Sequence, residues 1–131
     1  MPIFHLQPVE EIHGKIPLFK LVRDGRCRYD EFAQEIYHHG VYEGELDSIQ
    51  EILMRYADGK PLPKTRFRKL KGSGKGSLAE YEVKTRHLRL YLVHVKRTGS
   101  VIILGGQKNT QPKDIKQFRR LKEEYSQHIN I

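Results

Sequence analysis

The run LRLYLVHVKRTGSVIIL, residues 88–104, restricts the fold more than any other stretch of the chain. Across residues 88–96 the side chains alternate. Leu88, Leu90 and Leu92 fall on one face, and Arg89, Tyr91, Val93 and Val95 on the other. That period of two is the signature of a strand. Thr98-Gly99 then marks a turn, and residues 101–104 read as a short buried strand that runs into Gly105-Gly106. Upstream, residues 80–86 read as a third strand, joined to the second by a short link at His87. Three consecutive antiparallel strands are expected.

Helical patterns flank this meander. Residues 15–22 (KIPLFKLV) read as a strand in which Pro17 requires an edge or a strand start. Asp24-Gly25 is a turn. Tyr29, Phe32, Ala33, Ile36 and Tyr37 then recur at helical spacing, with Gly40 placed to end the helix. A second helix is expected over 45–57, with Leu46, Ile49, Leu53 and Tyr56 on one stripe and Asp58-Gly59 at its end. The short link predicts an antiparallel helical hairpin with its acidic residues outward. Pro61 and Pro63 break any further helix. Pro112 opens a last helix reaching about residue 127, with Ile115, Phe118, Leu121 and Tyr125 inward. Helices segregated from hairpin-linked strands give an α+β fold. One sheet face should pack on the hairpin, and the other should carry positive charge. The 131 residues suit a single domain, 1–131, with residues 1–14 an irregular lead-in.

Charge divides along the chain. Residues 1–60 hold 7 Lys and Arg against 11 Asp and Glu, a net of −4, and residues 61–131 hold 17 against 5, a net of +12. A basic half of this kind points to a polyanion such as RNA, or to an acidic protein partner. The most basic stretch is 64–75, KTRFRKLKGSGK, with six basic residues and no acidic one. Its KLKGSGKGS portion, residues 69–77, is not a nucleotide-binding P-loop. Gly74-Lys75 is followed by Gly76 rather than a hydroxyl residue, Lys69 stands where the first glycine belongs, and a strand pattern follows. The single cysteine, Cys27, admits no disulfide framework and suggests a reducing compartment. His38-His39 lacks a third ligand at metal spacing. The first residues carry no secretion-signal pattern, and no apolar run approaches membrane length. A soluble cytoplasmic protein without metal or small-molecule cofactor is expected.

Basic residues also converge in this layout. Lys84 ends one strand of the meander and Arg89 begins the next, so pairing brings them together. Lys108 follows the last strand. Arg68, Lys69, Lys71 and Lys75 precede the meander, Arg86 lies in its link, and Lys113 opens the last helix. Clustered cations grip phosphates. Such a site can also cut RNA, because the 2′-hydroxyl is a built-in nucleophile that needs orienting, deprotonating and charge stabilisation at phosphorus. The base would be His87, Tyr91 or a lysine of depressed pKa.

K-L-K-G at 69–72, Y-E-V-K at 81–84, L-R-L-Y at 88–91, V-I-I-L-G-G-Q-K at 101–108 and Q-P-K-D-I at 111–115 together resemble the RelE/HigB-like toxins of bacterial toxin–antitoxin modules, in particular the phage-derived HigB-like branch. The segment 15–59, a strand followed by a helical hairpin, is similar too. The resemblance implies a RelE-like fold: an N-terminal strand and a two-helix hairpin on a small, curved, mainly antiparallel sheet, plus a C-terminal helix. It implies metal-independent cleavage of mRNA on the ribosome and neutralisation by a cognate antitoxin protein. Lys69 and Lys71 match the family's basic loop, Arg89 its second arginine, and Lys108 the basic residue after the last strand. Lys84 stands where an arginine is usual, so a bidentate phosphate grip is lost. Ile115 or Asp114 falls where several members place a C-terminal tyrosine or histidine. On this reading KLKGSGKGS is a flexible basic loop lying along an RNA backbone. A catalytically silent RNA- or ribosome-binding protein, or one that holds an acidic partner, is the alternative.

Overall fold

The computed structural model describes residues 1–71 and 78–129. They form one six-stranded sheet and three helices, so the chain is α+β as expected. The elements are β1 (Phe4–Pro8), β2 (Leu18–Arg23), α1 (Arg28–His39), α2 (Glu43–Ala57), β3 (Phe67–Lys69), β4 (Ala79–Lys84), β5 (Leu88–Val95), β6 (Gly99–Gln107), a single 3-10 turn (Lys108–Thr110) and α3 (Gln111–Ile129). The sheet order is β1-β2-β6-β5-β4-β3. Every neighbouring pair is antiparallel except β2 and β6, which run parallel because two helices and three strands separate them.

Two expectations change. Residues 1–14 are not wholly irregular, because Phe4–Pro8 pairs along β2 as an edge strand. Its alternation is masked by Pro8 and short length, and pairing with β2 decides it. A second strand hides in the basic stretch: Phe67–Lys69 pairs with β4 and forms the opposite edge.

The sheet is covered on both faces. Leu88, Leu90 and Leu92 of β5 pack under α1 and α2 with Tyr29, Phe32, Ile36, Leu46, Ile49 and Leu53. Tyr91, Val93 and Val95 pack under α3 with Phe118, Leu121 and Tyr125. The second face is therefore a core and not the open positive surface expected, because the stripe of α3 needs an apolar partner. A bulge shifts the register between β5 and β6. Tyr91 lies opposite Leu104 and Leu92 opposite Ile102, and Ile103 is the extra residue. Beyond the bulge the strand reaches Gly105 and Gly106. A Cβ at Gly105 would collide with the Phe32 ring, and one at Gly106 with the Asp114 carboxylate. These glycines let α1 and α3 approach the end of β6 from opposite faces.

Two carboxylates pin α3 to the sheet. Glu80 and Glu82 of β4 are both fully buried. Glu80 accepts from Lys122 Nζ at 2.6 Å and from Arg119 at 3.1 Å. Glu82 accepts from Arg68 Nε at 2.9 Å and from Gln111 Nε2 at 2.6 Å. Breaking such a buried pair strands a charge and costs about 3–5 kcal/mol. Glu80→Ala is expected to lower stability by about that amount, read as a lower urea midpoint at constant slope. An unchanged midpoint would show that α3 is held by its apolar stripe alone.

Candidate nucleic-acid interface at the β4–β5 turn

The link between β4 and β5 is a tight turn, Thr85 to Leu88. The Thr85 N–H donates to the Leu88 carbonyl at 3.1 Å, and the Leu88 N–H to Thr85 Oγ1 at 3.2 Å. Three elements hold it in place. From the α3 side, Arg89 Nη1 donates to the Thr85 carbonyl at 2.6 Å and the Leu88 carbonyl at 2.8 Å. From the 3-10 turn, the Lys108 N–H donates to the His87 carbonyl at 2.8 Å. From α2, Glu45 Oε1 accepts from Thr85 Oγ1 at 2.6 Å and from the His87 N–H at 2.7 Å.

The second oxygen of Glu45 completes the arrangement. Oε2 lies 2.7 Å from His87 Nδ1. An ionised carboxylate only accepts, so this contact assigns a proton to Nδ1, and in the neutral ring the lone pair is then on Nε2. The ring stacks on Tyr42, with centroids 4.6 Å apart and planes at 20°, and stays 40% exposed. A carboxylate that orients an imidazole whose other nitrogen is free is the arrangement a general base requires. Burial acts to raise the Glu45 carboxyl pKa. The hydrogen bonds from Thr85 and from the His87 amide and ring outweigh it and hold the group below the usual carboxylate range.

Around this turn the expected residues divide. Lys84 pairs directly with Arg89, and Arg89 with Gly106, so Lys84, Arg89, His87 and Lys108 do meet at one corner of the sheet. Lys84 is half-buried, and Arg86 and Lys108 are exposed. Arg89, however, is 3% exposed, and its guanidinium is turned onto the backbone of the turn. It braces the site from beneath. Tyr91 is fully buried and stacks on Phe118. Burial, then the Glu82 charge, push its phenol far up, so it does not serve as a base near neutral pH.

The remaining cations lie along β3 and α3. Arg68 is half spent on Glu82. Lys69 pairs opposite Tyr81 and is exposed. Lys71 is exposed beside Glu80, where its carbonyl accepts from Arg119. That is about 15 Å of strand from Lys84, so Lys69 and Lys71 form a track leading away from the corner. Lys113 is exposed on the first turn of α3. Lys75 and most of the KLKGSGKGS loop lie outside the described residues. Sequence reading missed Glu45, Tyr42 and Thr85. Glu45 reads as one more outward acid in the first turn of a helix, and nothing local marks it as the partner of a histidine 42 residues away.

Glu45→Gln tests the proton assignment. The amide still accepts at one oxygen but presents N–H to Nδ1, so the His87 ring proton is expected to move to Nε2, read from ring ¹⁵N chemical shifts. A pH dependence follows from the depressed carboxyl. Its stabilising contribution is complete above the unfolded glutamate value of about 4.3 and is lost as pH falls through the lower folded value. The Tm advantage of wild type over Glu45→Gln should therefore be flat near neutrality and shrink below about pH 4. No family model, no characterised protein and no solved structure matches this chain.

Proposed function

We propose that the protein is a RelE/HigB-like toxin that cleaves mRNA on the ribosome in the cytoplasm and is held in check by a cognate antitoxin. The observation that carries this reading is His87, fixed by Glu45 with Nε2 free, at a corner shared with Lys84, Arg86 and Lys108. The order of elements supports it: a strand, a helical pair, an antiparallel meander and a C-terminal helix.

The chemistry needs only groups of this chain and the RNA. His87 Nε2 takes the proton of a 2′-hydroxyl. The freed oxygen attacks the adjacent phosphorus, and the bond from phosphorus to the 5′-oxygen breaks. The products are a 2′,3′-cyclic phosphate and a 5′-hydroxyl, whose proton comes from water or a neighbouring acid. Lys84 and Lys108 meet the charge that builds on the non-bridging oxygens. Arg86 and the track of Arg68, Lys69 and Lys71 hold the flanking strand.

A second reading, binding of RNA or the ribosome without cleavage, draws on the burial of Arg89. With that guanidinium on backbone carbonyls and a lysine at position 84, neither of these paired strand positions offers an arginine fork to phosphate. Incubation with translating ribosomes and mapping of mRNA 5′ ends separates the two. Wild type is expected to produce new ends on translating ribosomes. His87→Ala should cut about 10²–10⁴-fold more slowly, and Lys84→Ala or Lys108→Ala about 10²–10³-fold. Ribosome binding without new ends would select the second reading. Loss of both would leave the acidic-partner alternative.

A further inference from the structure

We propose that Arg23, Arg26, Arg28 and Arg120 form a second anion site, which takes a phosphoryl group. The four arginines line one pocket of about 90 Å³ between β2, β6, the start of α1 and the middle of α3, with Leu21 and Ile103 among its apolar walls. Three of them lie within residues 23–28, in the half whose net charge is negative, and Arg120 comes from the C-terminal helix.

Carboxylates neutralise only part of this cluster. Arg26 is held by both oxygens of Glu31, at 2.6 and 2.8 Å. Arg23 Nη2 donates to Glu124 at 2.8 Å, and its Nη1 lies 3.5 Å from Asp24. Among the described residues the Arg28 guanidinium donates only to the amide oxygen of Gln117. Arg120 has no acceptor among the described residues. The Arg23 Nε–H is buried without a hydrogen-bond partner among the described residues. Burial, then the Arg26 and Arg120 charges, lower the Arg28 pKa against the opposing pull of Glu31 and Asp114. Like charges on an apolar floor, with an unmet buried donor among them, are relieved by an anion. Arg26 and Arg28 also bracket the N-terminus of α1, whose dipole favours negative charge.

Size and shape narrow the anion. The volume admits a tetrahedral group of four oxygens. Several guanidinium forks arriving from different directions suit a phosphate better than a planar carboxylate, which offers two oxygens. Arg26 and Arg28 also line a groove of about 510 Å³ that passes Gly106 and reaches Lys113. A phosphoryl group in the pocket can therefore belong to a longer chain lying in that groove, or to a small free ligand.

The pocket is lined by none of the residues of the His87 corner, and the proposal holds whether or not that corner cleaves RNA. The test follows the Arg Nε–Hε resonances of the whole protein by NMR during titration with inorganic phosphate and, separately, with a short single-stranded oligoribonucleotide. Phosphate is expected to shift Arg23 and Arg28, and a paired Arg28→Gln, Arg120→Gln variant should weaken binding at least tenfold. Lys64→Gln, elsewhere on the surface, serves as a control for charge alone. Arg120→Gln tested singly guards against misfolding, because Arg120 is exposed and has no hydrogen-bond partner among the described residues. If the oligonucleotide shifts the same resonances and competes with phosphate, the ligand is an RNA backbone. If only phosphate does so, it is a small phosphoryl compound. Neither ligand moving Arg23 or Arg28, or the Lys64→Gln change weakening binding as much as the paired variant, would overturn the assignment.

Discussion

Two buried carboxylates on β4 decide where the C-terminal helix lies, and most of what is distinctive in this molecule follows from that helix. Glu80 and Glu82 point into the face that α3 covers, where an unpaired charge is prohibitive. Lys122 and Arg119 meet the first, and Gln111 and Arg68 the second. The two contacts lie 11 residues apart along α3, so they set its axis as well as its position. The start of the helix is thereby brought over Gly106, with Asp114 against the strand, and Arg120 is brought to the arginine pocket.

The β4–β5 turn shows how a small number of short bonds can make a reactive group from an ordinary one. A histidine in a surface link is usually solvated and rotates freely. Here the main chain of His87 is anchored at both its N–H and its carbonyl, its ring is stacked, and one ring nitrogen is claimed by a carboxylate. What remains free is the second ring nitrogen, held in a defined direction. Arg89 contributes by a role different from the one its charge suggests. It satisfies the carbonyls of the turn from within the protein, and so stiffens the piece of chain that carries the histidine.

The elements were largely legible in the sequence because they rest on local periodicity. The alternation in LRLYLVHVK, the apolar stripes of the three helices and the turn at Asp24-Gly25 are all written within a few residues of one another, and the turn expected at Thr98-Gly99 falls at residues 96–98, just before β6. The strands that escaped notice, Phe4–Pro8 and Phe67–Lys69, are short edges whose existence depends on a neighbour offering hydrogen bonds. The same division holds for the site. Lys84 and Arg89 could be placed together because one short link pairs them, but nothing local tells a solvent-facing arginine from one folded under its own turn.

Composition and periodicity alone therefore determined that this chain is an α+β protein with a basic second half, and that Lys84, His87 and Lys108 belong to neighbouring strand ends. Only the tertiary structure decided that the second sheet face is closed by α3, that Glu45 of a distant helix orients His87, and that Arg120 joins the three arginines of residues 23–28 in one pocket. The physical reason is range. Backbone pattern is set by neighbours in sequence, whereas the partner of a buried or half-buried charge is set by whichever element packing brings within about 3 Å.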